Sequence, residues 1–465
     1  MLNRFNTCVG LQCYNNQNNT SDFLEYCPDF DVYPTIIPHK ERVVAIGDIH
    51  GDMNKAIDFL KVAKVIKEIN PSKLIDKDII EHKYNIIFTD NNNIEKLSHT
   101  NIKKTYKNID DSMKNQVEIV YRYYEVRNKK HDSEYIVKIV QEDNNPRLYY
   151  DKKSNNRWFK WIGGETYIVQ VGDQVDRCRP YNDNICRNLG STPNDEDSDL
   201  EIMLFYDSLD KIAKMKGGRV YSLLGNHEIM NVMGDMRYVS SKGLKEFSPT
   251  PKSVDAGEDM RIKLFNTKIA RKMACTRSTV LAIGDYLFVH GGIADKLAYK
   301  YNLVQINNII RNYLHGTTQY HSELRSLLNS SRFSPLWYRK LAYIPPDING
   351  KKHQDCKTVF DSVINKINKK NFVTNISSDP IIQIKGMVIG HTPQFTIFGK
   401  GITTACDNKL IRADIGASSA FDVFSDEIKN KHPNIDLNKA RMPQVVEILT
   451  DLKTKESIIK ILPFD

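Results

Sequence analysis

The sequence predicts an α/β domain in which loops at the ends of buried strands together form one composite site. First, five short apolar runs with β-strand character recur along the 465-residue chain. Second, a glycine-containing polar motif directly follows or ends each of these runs. Third, segments with helically spaced apolar residues lie between them. Because open α/β sheets gather their functional groups where loops leave the strand ends, we expect the five motifs to meet.

The five motifs carry six side chains that can bind metal ions. The motifs are Gly-Asp-Ile-His-Gly at 47–51, Gly-Asp-Gln-Val-Asp-Arg at 172–177, Gly-Asn-His-Glu at 225–228, His-Gly-Gly at 290–292 and Gly-His-Thr at 390–392. Their candidate ligands are Asp48, His50, Asp173, Asn226, His290 and His391. Oxygen and imidazole donors in this mixture suit borderline divalent ions such as manganese, iron, zinc or cobalt, whereas calcium and magnesium prefer more oxygen.

In this order the motifs resemble those of the calcineurin-like metallophosphoesterases, and the first four are similar to the phosphoprotein phosphatase branch. Ser-Pro-Leu-Trp-Tyr-Arg at 334–339, followed by Gly-His-Thr-Pro-Gln at 390–394, further resembles the bacterial-like Shewanella-like protein phosphatases. The resemblance implies a layered metallophosphoesterase fold with two facing mixed β-sheets flanked by helices. It also implies a dinuclear metal-dependent phosphatase.

The resemblance assigns the six ligands to two divalent ions, with manganese expected and iron, zinc or cobalt as alternatives. Asp173 is expected to bridge the ions, because one carboxylate can hold two metals about 3.5–4 Å apart. By resemblance, Asp48 and His50 complete the shell of one ion. Asn226, His290 and His391 complete the other.

By the same resemblance, hydrolysis proceeds by direct attack of a metal-bound hydroxide on phosphorus, with no covalent phosphoenzyme. His227 is the expected general acid and Asp176 the residue that orients it, with a structural hydrogen-bonding role for His227 as the alternative. Arg177, Arg339 and Asn226 are expected to bind the substrate phosphate, since a guanidinium fork matches phosphate oxygens.

The loop after Arg177 departs from the family pattern. Cys178 stands where the family usually has glycine, and Pro180 follows two residues later. The loop can therefore turn differently and change the pose of Arg177. We interpret Cys178 as a packing residue, with a redox-sensitive thiol as the alternative.

The spacing of the motifs divides the chain into an N-terminal extension at 1–38 and a catalytic domain at 39–465. A helix is predicted over 52–70. The interval between Gly51 and Gly172 far exceeds what a parallel crossover needs, which predicts an insertion at about 72–164. Strand-like pieces at 84–88, 135–140 and 147–150 indicate a small β subdomain there, with a charged solvated loop as the alternative. A final hairpin is predicted over 443–461.

The composition favours a cytoplasmic protein with no membrane span. The net charge of +9, from 66 basic and 57 acidic residues, is compatible with an anionic substrate, and a nucleic-acid partner is not expected. The first 20 residues show no secretory signal pattern. We interpret the eight cysteines as reduced thiols and not as a disulfide framework, with a small cluster of Cys8, Cys13 and Cys27 as the alternative.

The expected substrate is a phosphorylated protein or peptide, and the resemblance leaves phosphoserine, phosphothreonine and phosphotyrosine open. Nucleotide hydrolysis of the diadenosine-polyphosphate type is one alternative, because it uses the same kind of metal core. A phosphatase-like binding module without activity is the other. The sequence does not predict an oligomeric state.

Overall fold

The structure is a computed structural model. It describes residues 23–69 except 24 and 29, the segments 117–119, 135–140 and 147–152, and residues 157–464 except 182–184, 193, 249–252, 319–321 and 372–381. The predicted strand at 84–88 lies outside the described residues.

The strands are short and distributed over the described part of the chain. They are β1 (Ile36–Ile37), β2 (Arg42–Ile46), β3 (Ile66–Ile69), β4 (Val117–Ile119), β5 (Tyr135–Val140), β6 (Arg147–Lys152), β7 (Arg157–Trp161), β8 (Tyr167–Gln170), β9 (Arg219–Leu223), β10 (Arg277–Ser278), β11 (Val280–Ile283), β12 (Tyr286–Val289), β13 (Gly386–Ile389), β14 (Thr403–Ala405), β15 (Leu410–Arg412), β16 (Gln444–Thr450) and β17 (Ser457–Pro463).

Helices connect the strands. They are α1 (Met53–Val62), α2 (Asp199–Lys214), α3 (Asn226–Val232), α4 (Ser241–Glu246), α5 (Val254–Leu264), α6 (Ala270–Thr276), α7 (Asp295–Lys300), α8 (Leu303–His315), α9 (Ser322–Asn329), α10 (Ser362–Asn371), α11 (Gln394–Phe398), α12 (Ser425–Lys431) and α13 (Leu437–Arg441). Single π-helical turns occur at Phe265–Ile269 and Cys356–Asp361, and 3₁₀ turns at Leu341–Tyr343 and Ser419–Phe424.

Two mixed six-stranded sheets form the body of the fold. The first sheet has the order β1-β11-β12-β13-β15-β14, and the second has the order β10-β9-β8-β2-β16-β17. Strands β12, β13 and β15 run parallel in the first sheet, and β2, β8 and β9 run parallel in the second. The final hairpin is confirmed, because β16 pairs antiparallel with both β17 and β2.

The period-2 pattern of the strands explains how the sheets pack. In the first sheet, Phe288 and Val388 belong to the large core cluster shared with Val44 and Ile168 of the second sheet. Their neighbours Leu287 and Met387 point to the other face and join a second cluster with residues of α7, α8 and α10. The predicted fold class, with two facing mixed sheets flanked by helices, is therefore confirmed.

Helix α1 is shorter than the sequence predicted. Asp52 caps it by accepting a hydrogen bond from the amide of Lys55, as expected for an N-terminal aspartate. The prediction of a helix over 52–70 was wrong at the C-terminal end, because the left-handed backbone of Lys64 ends the helix. Ile66 then begins β3, which pairs with Trp161 of β7.

A third sheet accompanies the segment that interrupts the catalytic motifs. It is antiparallel with the order β3-β7-β6-β5-β4, and Leu148 and Phe159 from it are fully buried in the large core. Phe159 packs edge-on against Phe205 of α2 at 5.4 Å between ring centroids. The strand-like pieces predicted at 135–140 and 147–150 are β5 and β6. The domain boundaries at 38, 72 and 164 stay predictions.

The prediction of reduced cysteines is wrong for every cysteine that the structure describes. Disulfides join Cys27 to Cys275, Cys178 to Cys186 and Cys356 to Cys406. Two of these pairs are 248 and 50 residues apart in sequence, so no local spacing signals them. Cys8 and Cys13 lie outside the described residues, and so does the cluster considered for them. The cytoplasmic location stays a prediction, without the support of reduced thiols.

None of the helices in the described part of the chain combines the length and apolar character that a membrane crossing requires.

We expect peptide mapping of the protein purified without reductant to recover these three disulfide-linked pairs. The Cys27–Cys275 link closes the longest loop, so Cys27→Ser with Cys275→Ser should lower the free energy of unfolding by about 2–5 kcal/mol. The matched pair Cys178→Ser with Cys186→Ser should cost less, because it opens a loop of only 8 residues. Free thiols at all six positions would contradict the pairing.

Candidate dinuclear metal centre

The parallel strands of both sheets deliver the predicted ligands to one place. Asp48 and Asp173 follow β2 and β8, which are neighbours in the second sheet, and His290 and His391 follow the neighbours β12 and β13 in the first. The two sets meet directly, because the amide of His391 donates to Oδ2 of Asp48 at 2.9 Å. The site therefore lies where the strand ends of the two sheets face each other.

Strained backbone marks the ligand loops. His50, Asp173 and His391 have φ values of 48°, 55° and 66°, which non-glycine residues rarely adopt. Such conformations cost free energy and cluster at functional sites. Close approach also explains Gly390, since a Cβ there would lie 2.3 Å from Oδ1 of Asp48. The turns are therefore shaped by the ligands they bring together.

Asp173 lies between two groups of ligand atoms. Its Oδ2 is 3.7 Å from Nε2 of His50 on one side and 3.1 Å from Nε2 of His290 on the other. Candidate ligand atoms of His50, Asp173 and His227 lie within 4.8 Å of one another, and so do those of Asp173, His290 and His391. One carboxylate is therefore common to two three-residue clusters.

The remaining predicted ligands adjoin these clusters. Oδ2 of Asp48 is 3.8 Å from Nε2 of His50, and Oδ1 of Asn226 is 3.0 Å from Nε2 of His290. Nδ1 of His50 and of His290 each contacts a backbone carbonyl, which orients Nε2 toward the centre in the manner usual for metal-binding histidines. The structure thus brings all six predicted ligands together.

The residues present fit a pair of divalent cations. Oδ1 of Asp48, Oδ2 of Asp414 and Nε2 of His391 are buried and have no hydrogen-bond partner within the described part of the chain. Buried polar atoms without partners are costly, and a bound cation would satisfy the acceptors. The mixed carboxylate, amide and imidazole set suits borderline divalent metals.

Burial keeps two of the candidate histidine ligands in the neutral form. Burial, with the charge of Arg179 next, holds the pKa of His50 well below its usual value. Burial and then Arg339 do the same for His391. Both imidazoles are therefore neutral at neutral pH, as metal binding requires. Burial, followed by Asp414 and Asp173, raises the pKa of Asp48, so the site concentrates negative charge that a cation would relieve.

His227 and Asp176 form a buried pair beside the ligands. Nδ1 of His227 is 2.7 Å from Oδ2 of Asp176, while its Nε2 faces Asp173 at 3.9 Å. Asn231 donates to the other oxygen of Asp176 at 2.8 Å. Arg261, which is fully buried, donates to Asn231 and to Asp199, and Asp199 in turn accepts from the amide of Asp176. This network holds His227 with one nitrogen directed at the metal site.

Arg177, which the sequence predicted to bind the substrate phosphate, is engaged by protein partners in the structure. Its Nη1 donates to Oδ2 of Asp52 at 2.5 Å and to Ser418 at 2.9 Å, and its Nη2 donates to Ser419 and the carbonyl of Asn194. The physical reason is the Asp52 carboxylate, which forms an ion pair with the guanidinium where both are buried. Arg339 contacts a ligand loop directly, with Nη1 donating to the carbonyl of His391 and to Thr392.

Sequence reasoning did not assign roles to several residues that build the site. Glu228 accepts from the amides of Asp173, Gln174 and Gly225, and so holds two ligand loops together. Its place in the Gly-Asn-His-Glu motif was the available signal. Arg261 and Arg179 stand outside the motifs, and no pattern in the sequence marks them.

Comparisons with known proteins agree with this geometry. A sequence model of the calcineurin-like phosphoesterase family matches residues 151–394, more than half of the chain. Uncharacterized protein R398 of Acanthamoeba polyphaga mimivirus is 33% identical over 271 residues, which cover 54% of this chain and 96% of the viral protein. Shewanella-like protein phosphatase 2 of Arabidopsis thaliana is 27% identical over 295 residues, which cover 56% of this chain and 64% of the plant protein.

Among solved structures, the cold-active protein-tyrosine phosphatase of a psychrophilic Shewanella species aligns with a TM-score of 0.46 and 17% identity, over 94% of this chain and 83% of that one. The chain spans less than two thirds of the plant phosphatase. The predicted family is confirmed by the family match, and the ligand clusters agree with it. The chain therefore belongs to the calcineurin-like phosphoesterase family and is a metal-dependent hydrolase of phosphate esters.

Proposed function

We propose that the protein is a dinuclear metal-dependent phosphatase that hydrolyses phosphomonoesters, with phosphorylated protein or peptide as its substrate. The observation that carries the proposal is the position of Asp173, whose Oδ2 lies 3.7 Å from Nε2 of His50 and 3.1 Å from Nε2 of His290, one histidine from each proposed ligand set. A shared carboxylate of this kind is what a two-metal phosphatase requires.

Six residues would hold the two ions. Asp48 and His50 with Asp173 form one set, and Asn226, His290 and His391 with Asp173 form the other. When bound, two divalent ions polarise phosphoryl oxygens and lower the pKa of water to near neutrality. We propose manganese as the native metal, and iron, zinc and cobalt match the same donors.

The His227–Asp176 pair supplies the proton that the leaving oxygen needs. Nδ1 of His227 is held by Asp176, so the proton to be delivered resides on Nε2, which faces the centre. The Asp176 carboxylate fixes the orientation of the ring, as in other carboxylate–histidine pairs. Asn231 in turn fixes Asp176.

Substrate phosphate is bound between the ligands and the Arg339 loop. The bonds from Nη1 of Arg339 to the His391 carbonyl and Thr392 place its charge beside the second ligand set. The amide nitrogen of Asn226 contacts the sulfur of Met230 at 3.7 Å, which is a weak partner that a phosphoryl oxygen can replace. Arg339 and Asn226 thus serve as phosphate-binding residues.

The choice of a phosphoprotein substrate is supported by the motif resemblance and by the plant relative, which is named a protein phosphatase. Phosphoserine, phosphothreonine and phosphotyrosine all remain candidates, and we propose a cytoplasmic location. A screen of manganese-loaded protein tests this choice with the three phosphopeptides, diadenosine polyphosphate and a small aryl phosphate. Faster turnover of the dinucleotide would favour a nucleotide hydrolase, and binding without turnover of any of them would indicate a phosphatase-like binding module.

We predict that Asp173→Asn loses both ions and lowers turnover by at least about 100-fold, because one side chain serves both metal positions. Metal content after desalting, measured by inductively coupled plasma mass spectrometry, checks the first part. The matched control is Asp285→Asn, another buried aspartate at the opposite end of β12, bonded to His39 and Lys385. The control should retain both ions, and retention of both by Asp173→Asn would refute the bridging role.

We predict that His227→Ala slows substrates according to the basicity of their leaving group. A nitrophenolate departs without a proton, whereas a serine alkoxide needs one, and general-acid catalysis contributes about 10²- to 10⁴-fold. Turnover of a phosphoserine peptide should therefore fall by much of that range and turnover of nitrophenyl phosphate by distinctly less.

Asp176→Asn is the companion variant, and it should show the same order of losses because it disturbs the tautomer of His227. Metal content must match that of the native protein, since His227 adjoins Asn226. Equal losses on the two substrates with both ions retained would assign His227 to phosphoryl positioning instead of proton transfer.

A further inference from the structure

Two arginines stand two residues apart in the loop after β8, and the structure gives them different surroundings. Arg177 is 4% exposed, and its guanidinium is engaged by Asp52, Ser418, Ser419 and the carbonyl of Asn194. A guanidinium paired with a buried carboxylate is held by the fold, and releasing it would leave Asp52 as an uncompensated buried charge.

Arg179 lies instead between two aromatic rings. Its guanidinium carbon is 4.6 Å from the centroid of the Phe421 ring and 5.5 Å from that of the Tyr238 ring. Its Nη1 donates to the carbonyls of Asp176 and Cys178. A planar guanidinium stacked on aromatic faces keeps its N–H groups in its own plane, where they can meet oxygens at its edge.

The same two rings connect Arg179 to the metal site. Phe421 packs edge-on against His50 at 5.3 Å, and Tyr238 packs against His227 at 4.9 Å. His50 and His227 are themselves 4.8 Å apart. Arg179, Phe421, His50, His227 and Tyr238 therefore form a closed ring of contacts. The guanidinium lies on the side of the centre that holds the expected acid and the first metal-binding histidine.

The loop restrains the backbone at Arg179, and the side chain lines a cavity. The Cys178–Cys186 disulfide and Pro180 restrict the backbone on both sides, and the amide of Cys178 donates to the carbonyl of Tyr238 at 3.0 Å. Arg179 is only 7% exposed, yet it lines a cavity of about 320 Å³, which Arg177, Asp195 and Asp422 also line.

We propose that Arg179, and not Arg177, is the arginine that binds the phosphoryl oxygens of the substrate together with Arg339. This inference rests on the proposed phosphatase function, since it names a binding residue for the same site. The departure from the family pattern at Cys178 and Pro180 is consistent with this proposal. It places a second arginine, Arg179, two residues after Arg177 in a loop of altered sequence. Arg177 then serves the fold by neutralising Asp52.

The test compares matched substitutions at the two positions. Arg179→Met keeps the side-chain bulk between the rings and removes the charge, and Arg179→Lys keeps the charge but not the fork. Arg177→Met is the matched control, with Arg177→Lys as the variant that retains a charge for Asp52. Binding of inorganic phosphate to the manganese-loaded full-length proteins is measured by isothermal titration calorimetry, together with metal content and thermal unfolding.

We expect Arg179→Met to weaken phosphate binding about 10- to 100-fold with both ions and the melting temperature retained, since bonds to charged groups have this strength. Arg179→Lys should recover part of the loss. Arg177→Met should lower the melting temperature, and Arg177→Lys should bind phosphate within about threefold of the native protein.

Unchanged phosphate binding in Arg179→Met would overturn the proposal. Loss of the ions in Arg179→Met would also overturn it, because the residue would then support the ligands and not the phosphate. A stable, metal-loaded Arg177→Lys that has lost phosphate binding would return the role to Arg177. If the native protein binds phosphate through Arg179 but hydrolyses no phosphomonoester, the proposed function fails while this inference stands.

Discussion

The Asp173 carboxylate is the group around which the rest of the site is arranged. Its Oδ1 accepts from the amide of His227, and its Oδ2 faces the histidines of both ligand sets. Burial disfavours the charged form, but His290 and His227 outweigh it and lower its pKa well below the usual value. A buried carboxylate that stays ionised needs positive charge around it, and metal ions held by the two ligand clusters would supply it. The fold must therefore hold strand ends from two sheets against one side chain.

Glu228 holds the backbone of two ligand loops in place around Asp173. This fully buried carboxylate accepts hydrogen bonds from amides of the Asp173 loop and of the Asn226 loop. Since both loops follow parallel neighbours in the second sheet, one side chain sets the distance between Asp173 and Asn226. The strained φ value of 55° at Asp173 is maintained by these bonds.

A second layer of buried charge surrounds the His227–Asp176 pair. Arg261 lies between Asp199 and Asp176, where it compensates two carboxylates and is itself shielded from water. Burial raises the pKa of Asp199 to about 6, although Arg261 opposes the shift. Groups this deep gain little from solvent, so the network must be satisfied internally, and its geometry is correspondingly specific. Arg261 comes from α5, which lies between the third and fourth motifs and thus takes part in the site without carrying a motif.

How much of this could be predicted from the sequence depends on how local each signal is. Local signals were enough to predict the candidate ligands, the His227–Asp176 pair and the strand before each motif. In each motif, a glycine turn and a polar side chain lie within a few residues of an apolar run. The disulfides could not be predicted from local sequence, because partners such as Cys27 and Cys275 come together only after the chain has folded. The end of α1 was missed because the left-handed turn at Lys64 and the pairing of Ile66 with Trp161 override local helical spacing.

By itself, the sequence determined the family, the fold class, the metal-binding residue types and their order along the chain. Only the tertiary structure decided which partners surround each arginine of the loop after β8. Arg177 and Arg179 have the same charge and nearly the same position in the sequence. Their surroundings differ because Asp52, which is far away in sequence, pairs with one, while Phe421 and Tyr238 enclose the other. Long-range partners of a long, flexible side chain are set by packing, and local sequence carries no record of them.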